Sequence, residues 1–135
     1  MTLYTKATYD LSAERGLLTF LHGDLGLESL GLGLARIPAH EGWSFWHTHE
    51  RQEEVYVCLE GTATVLVEEE AITLAPGDFL RVSPEAKRAV GNRSDKVAVL
   101  LIMGAMPHDG FRKPDGRSLI NDGQPDRASP APVWS

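Results

Sequence analysis

Two histidines one residue apart, His47 and His49, sit in GWSFWHTHERQEEVYVCLEG, residues Gly42 to Gly61, a stretch that otherwise reads as β-strand. On a strand, residues two apart project from one face with Cα atoms roughly 6.6 Å apart, given a rise of about 3.3 Å each. Imidazoles leaning together close that gap. Metal–nitrogen bonds of about 2.0–2.1 Å put neighbouring donors about 3 Å apart, which His-x-His satisfies. A third ligand must come from the next turn or a neighbouring strand. Glu54, five residues beyond His49, is placed to supply a carboxylate, with Glu53 the alternative if the register differs by one. The competing reading is a half-exposed face or a hydrogen-bond network, where paired strand histidines often belong. Trp43 and Phe45 share the histidines' parity, so an aromatic wall flanks the pair, with Ser44, Trp46 and Thr48 on the opposite face.

The elements that must position these residues are strands. Helical periodicity is weak, and only Leu11 to Phe20 could hold a helical turn. Short apolar or alternating runs recur between Gly, Pro, Asp and Glu clusters, the pattern of an antiparallel sandwich or barrel. Leu30, Leu32 and Leu34 alternate with Gly31, Gly33 and Ala35, predicting a strand with one bulky face and one small face that a second sheet can approach closely. Further strands are expected at Val55–Leu59, Ala63–Val67, Ile72–Leu74, Phe79–Val82 and around Arg88–Asn92. The continuous apolar run Val97–Met103 suits a strand buried on both faces. Glu68 to Glu70 form a solvated hairpin tip, and APGD, Ala75 to Asp78, is a turn. Residues 1–106 are expected to form the barrel with its N-terminal extension. Residues 107–135, with their Asp-Gly pairs and prolines, are expected to form an irregular tail whose Trp134 pins its end to the barrel or to a partner subunit.

At 135 residues one core suffices. Lys and Arg number 13 against 19 Asp and Glu, a net charge of −6, and the basic residues are scattered, so nucleic acid is an improbable partner. No apolar run is long enough to span a bilayer and the N-terminus lacks secretory features, so no membrane association and a cytoplasmic location are expected. The single Cys58 reads as a small buried hydrophobe. His22, His40 and His108 lie in turn-like contexts and are expected at the surface. Neither a serine nucleophile elbow nor a phosphate-binding glycine loop is present.

Gly42, His47, His49, Glu54 and Gly61 together resemble the first motif of the cupin superfamily, although the gap from the first glycine to His47 is four residues where five is commoner. PGDFLRVSPEAKRAVGN, Pro76 to Asn92, resembles the second motif, with Gly77, Asp78, Val82, Pro84 and Asn92 aligned. The resemblance covers Leu30 to Gly104. It implies an all-β double-stranded β-helix, or jelly-roll barrel, with irregular N- and C-terminal extensions and a metal or ligand inside its mouth. It also implies a homodimer.

One position departs from the pattern. Arg88 stands where the family has a fourth ligand, a histidine, and Glu85 where it usually has glycine. Arginine has no lone pair for a metal. A divalent cation about 6 Å from an unpaired guanidinium is opposed by roughly 5 kcal/mol at an effective dielectric near 20. Three arrangements follow. In the first, His47, His49 and Glu54 hold a divalent metal (Fe, Mn, Ni or Zn) with open positions, and Arg88 orients an anionic small-molecule substrate or pairs with Glu53 or Glu85. That gives a metal-dependent enzyme of dioxygenase, lyase or isomerase type. In the second, the site is metal-free: Arg88 pairs with Glu54, and Trp43 and Phe45 line an apolar pocket of a binding module. In the third, hydrogen bonds satisfy the histidines, and the barrel is only an interaction surface.

Overall fold

The computed structural model describes residues 3–13, 16–105 and 122–135. Their strands are β1 (Leu18–Phe20), β2 (Leu30–Ile37), β3 (Trp46–His49), β4 (Glu53–Glu60), β5 (Ala63–Val67), β6 (Glu70–Leu74), β7 (Phe79–Val82), β8 (Arg88–Gly91), β9 (Ala98–Ala105) and β10 (Gly123–Asp126). They pair antiparallel into two five-stranded sheets, ordered β1-β2-β9-β4-β7 and β10-β3-β8-β5-β6. The chain is therefore all-β, as expected of a double-stranded β-helix.

The core lies between the sheets. Ala35 and Ile37 from β2, Tyr56 and Cys58 from β4, Val65 from β5, Val90 from β8 and Leu100 from β9 are almost completely buried there. The small face of β2 does turn inward: Gly33 opposes Ile102 and Ala35 opposes Leu100 in the register with β9. Burying each large aliphatic side chain contributes about 1.5–3 kcal/mol, which a chain of this length needs from several strands at once. Cys58 is 1% exposed and its Sγ faces the carbonyls of Glu60 and Gly61. Burial pushes its thiol pKa up, so it is a packing group.

Three expectations are corrected. The helical turn falls at α1 (His22–Leu25), closed by Gly26 in the left-handed conformation, while Leu18–Phe20 extends to pair with β2. Edge pairing with β2 overrides the local helical signal. The run Val97–Met103 is fully buried on its inner face and only in part on its outer one. Ala98, Leu100 and Ile102 point into the core, whereas on the outer face Val99 is buried and Leu101 and Met103 are half-buried, opposite Leu34 and Leu32 of β2. Both faces are apolar because the outer one carries a row of aliphatic residues, so periodicity could not reveal which face is covered. The segment after the barrel is not irregular throughout: β10 joins β3, pairing Gly123 with His49 and Pro125 with His47.

Beyond β10 the chain folds back over the second sheet. Trp134 is 7% exposed and donates from Nε1 to the carbonyl of Trp43. Its indole lies so close to Gly91 that a Cβ there would come within 2.3 Å of the ring. Trp46 donates to the carbonyl of Pro130 and lies under the Lys87 ammonium. These contacts hold the C-terminal segment, and with it Asp122 and Arg127, against the barrel mouth.

Candidate metal centre

The three residues come from both sheets. His47 and His49 lie on β3, the chain crosses between sheets over 50–52, and Glu54 begins β4. Strand parity then sorts the two glutamates. Glu54 opposes Val82 and Gly104 and points inward, while Glu53 points outward, where the Arg81 guanidinium donates to it at 2.6 Å. Glu54, not Glu53, joins the histidines.

One ligand atom from each of His47, His49 and Glu54 lies within 4.8 Å of the other two. Nε2 of His49 is 3.2 Å and Nε2 of His47 is 3.5 Å from Oε1 of Glu54. These are the separations expected between ligands sharing one cation. At 3.2 Å, His49 Nε2 is still off the line of a hydrogen bond and, among the described residues, has no hydrogen-bond partner although it is buried. A buried polar atom left unpaired costs about 1–3 kcal/mol, so its position beside Glu54 suits coordination of a shared cation. The donor set, two imidazoles and a carboxylate, fits a first-row divalent metal.

Neighbouring groups fix the charge of each ligand. Asp122 accepts from Nδ1 of His49 at 2.8 Å and from the backbone N–H groups of Arg51 and Gln52. The Asp122 carboxyl is 4% exposed, yet its pKa lies below the usual range, because those three hydrogen bonds outweigh the cost of burial. A carboxylate holding Nδ1–H leaves Nε2 as the ligating atom and orients the ring. The His49 pKa is raised: burial opposes the charge, but Glu54 on one side and Asp122 on the other overcome it. Burial likewise opposes ionisation of Glu54, yet His47, His49 and the hydroxyl of Tyr56, which donates at 2.6 Å, hold its carboxyl well below the usual range. Tyr56 itself is pushed well above its normal value by burial and by the adjacent Glu54 charge, so it stays a neutral phenol.

Arg88 does not take the place expected of it. It is opposite His47 in the register between β3 and β8 but is 0% exposed and absent from the cavity wall. Its guanidinium turns away from the mouth, donating to the carbonyls of Ser83 at 2.6 Å and Pro84 at 3.2 Å. Its Nε is 3.7 Å from Oε1 of Glu54. A role in orienting substrate is therefore corrected: β8 buries this side chain behind Glu54, and the carbonyls of the β7–β8 turn capture its head. The cation still acts on the site. Asp122, a buried negative charge on the other side of His49, opposes it: the two act on that imidazole with opposite sign.

The site opens into a cavity of about 270 Å³. Trp43 and Phe45 line it, with Leu18, Tyr56, Ile102 and Arg127. His22, expected at the surface, lines it as well, its Nδ1 accepting from the N–H of Leu32. His40 is exposed and pairs with Asp95, and His108 lies outside the described residues. Sequence reasoning missed Asp122, Tyr56 and Arg127. Tyr56 had a signal, being two residues from Glu54 and so on the same face. Asp122 had none, because Asp-Gly reads as a turn.

Two antiparallel sheets with a ligand site between them at one end define a double-stranded β-helix. The cupin domain family model matches residues 33–104, more than half of the chain, and the chain belongs to that family. A cupin protein from Bacteroides fragilis is similar at 26% identity and TM-score 0.73, covering 90% of this chain and 99% of that one. DMSP lyase from Ruegeria pomeroyi is similar at 26% identity and TM-score 0.52, covering 62% of this chain and 41% of that one. A sugar phosphate isomerase from Silicibacter pomeroyi shares the fold at 21% identity and TM-score 0.61, covering 84% and 78%. No curated protein sequence gives a significant match. Among the described residues no helix is long and apolar enough to cross a membrane.

Proposed function

We propose that this cupin holds one divalent cation (iron, manganese, nickel or zinc) on His47, His49 and Glu54 and acts as a lyase on a small molecule bound in the barrel cavity. One observation carries the reading: the buried, unpaired Nε2 of His49 and the Nε2 of His47 both lie beside one carboxylate oxygen of Glu54. Similarity to a DMSP lyase supports the reaction class.

When bound, the cation supplies Lewis-acid polarisation of a ligand oxygen. The chain's own residues do the rest. Asp122 holds the proton of His49 on Nδ1. Tyr56 fixes the Glu54 carboxylate and keeps a proton on its hydroxyl at the cavity wall, where a bond-breaking reaction needs one to be held or moved. Trp43, Phe45, Leu18 and Ile102 keep the cavity apolar and exclude water from the reacting atoms.

A second reading, a metal-free binding module, is favoured by the 3.7 Å approach of Arg88 to Glu54. Elemental analysis separates the two. The purified protein is expected to carry about one equivalent of a divalent metal that His47→Ala removes while the variant stays folded. No metal in either protein favours the binding module. For the loaded protein, proton NMR of a panel of small carboxylic and hydroxy acids should show products that form without oxygen and cease after chelation. Oxygen consumption coupled to turnover would contradict the lyase assignment.

A further inference from the structure

With Arg88 sealed behind Glu54, the cavity wall contains one Lys or Arg side chain among the described residues, Arg127. It follows β10, so the pairing of Gly123–Asp126 with β3 delivers it to the mouth. Its guanidinium carbon stands 4.4 Å over the ring of Phe45, and that ring in turn stands 6.3 Å from the ring of His47. The cation is thus held over the aromatic wall, one side chain outward from the candidate ligands. Arg127 makes no ion pair or hydrogen bond with the described residues, whereas the neighbouring carboxylates are engaged: Asp126 by the hydroxyl and amide of Ser129, and Asp122 by His49. Stacking fixes the plane of a guanidinium and leaves its edge free for a planar, two-oxygen partner.

We propose that Arg127 is the specificity-determining residue of this cavity, binding the carboxylate of a small monoanionic ligand whose apolar body lies between Phe45, Trp43, Leu18 and Ile102. This deepens the proposed function and rests on it for the identity of the site, but not on the metal for its own energetics. A single cation matches a single negative charge. A phosphate ester, with close to two charges and three acceptor oxygens, would leave much of its charge unmatched beside a single guanidinium, in a wall that also carries the Glu54 carboxylate. The cavity's small volume, about 270 Å³, also limits the ligand to a short-chain acid.

The test uses the full-length, chelator-treated protein, so that a carboxylate cannot report binding to metal. Cavity occupancy is followed by fluorescence of Trp43, with Trp43→Phe identifying its signal, and the probes are straight and branched four- to six-carbon carboxylic acids and their isosteric primary amides. The acids are expected to bind about tenfold more tightly than the amides, the scale of one charge-assisted pair at a partly solvated site. Arg127→Gln should abolish that preference and, as purified before chelation, should retain the wild-type metal content. Arg127→Lys should restore part of the preference. Equal affinity for acid and amide in the wild type, a preference that survives Arg127→Gln, or no saturable signal from any acid in the series would overturn the proposal. A protein that meets these expectations but carries no metal as purified, before chelation, would overturn only the metal reading.

Discussion

Arg88→His is expected to tighten binding of a divalent cation by about a hundredfold or more, and to lower the stability of the metal-free protein at the same time. Position 88 is the strand neighbour of His47, so an imidazole there is on the right face to act as a further donor. Removing the guanidinium also removes the repulsion between two positive centres, worth several kcal/mol at an effective dielectric near 20. The cost falls on the apo state. The carbonyls of Ser83 and Pro84 each lose the guanidinium as a second donor, keeping only the N–H groups of Ala86 and His49, and Glu54 loses the cation that stands 3.7 Å away. Breaking a buried charge pair by removing one partner typically costs about 3–5 kcal/mol. Denaturant melts with and without metal, together with competition against a chelator, measure both effects. The variant should be less stable than the wild type when stripped and recover when loaded. Unchanged metal affinity would show that the Arg88 charge does not act on the site.

Asp122→Asn should weaken cation binding by about 10–100-fold, as losses of a histidine's carboxylate partner generally do. It also removes a buried negative charge beside His49, leaving Glu54 as the carboxylate facing Arg88, and turns an amide toward the buried N–H groups of Arg51 and Gln52, whose hydrogen bonds Asp122 accepts in the wild type. The pH dependence distinguishes an electrostatic role from simple loss of packing. Glu54 and Asp122 have lowered pKa values, so their stabilising contribution is present above the unfolded carboxylate range and is lost as pH falls through their folded values. His49 is raised from 6.5, so its contribution is full below that value and is lost as pH rises through the folded one. A cation must displace the proton from Nε2 of His49, so affinity should climb with pH until that ring is neutral. In Asp122→Asn the ring loses one of the groups that raise its pKa, proton competition ends at lower pH, and the deficit against wild type should narrow as pH falls. A deficit of constant size across pH would assign Asp122 a purely structural role.

These two residues also show where sequence reasoning reached and where it stopped. The spacing of His47 and His49 was enough to turn both imidazoles to one face, but the choice between Glu53 and Glu54 waited on the register of β4, which turns Glu54 inward. The same register turns Glu53 out to Arg81. Placing Arg88 at a ligand position was also legible from the motif, but its direction was not. That depended on three consecutive carbonyls at the β7–β8 turn, Val82 to Pro84, whose aim is set by tertiary structure. Asp122 was illegible for a different reason. It lies 73 residues from His49 in sequence, in a segment whose prolines and Asp-Gly pairs resemble surface turns. The short β10, with Pro125 inside it, offers no alternating pattern, and an edge strand needs none when its partner supplies the register.

Crystals of the full chain soaked in manganese or cobalt, with diffraction collected at the metal's absorption edge, test the central claim most directly. One anomalous peak is expected, at about 2.0–2.3 Å from an imidazole nitrogen of His47, Nε2 of His49 and a carboxylate oxygen of Glu54. A barrel mouth with no peak, the guanidinium of Arg88 drawn onto Glu54 in its place, would contradict the account.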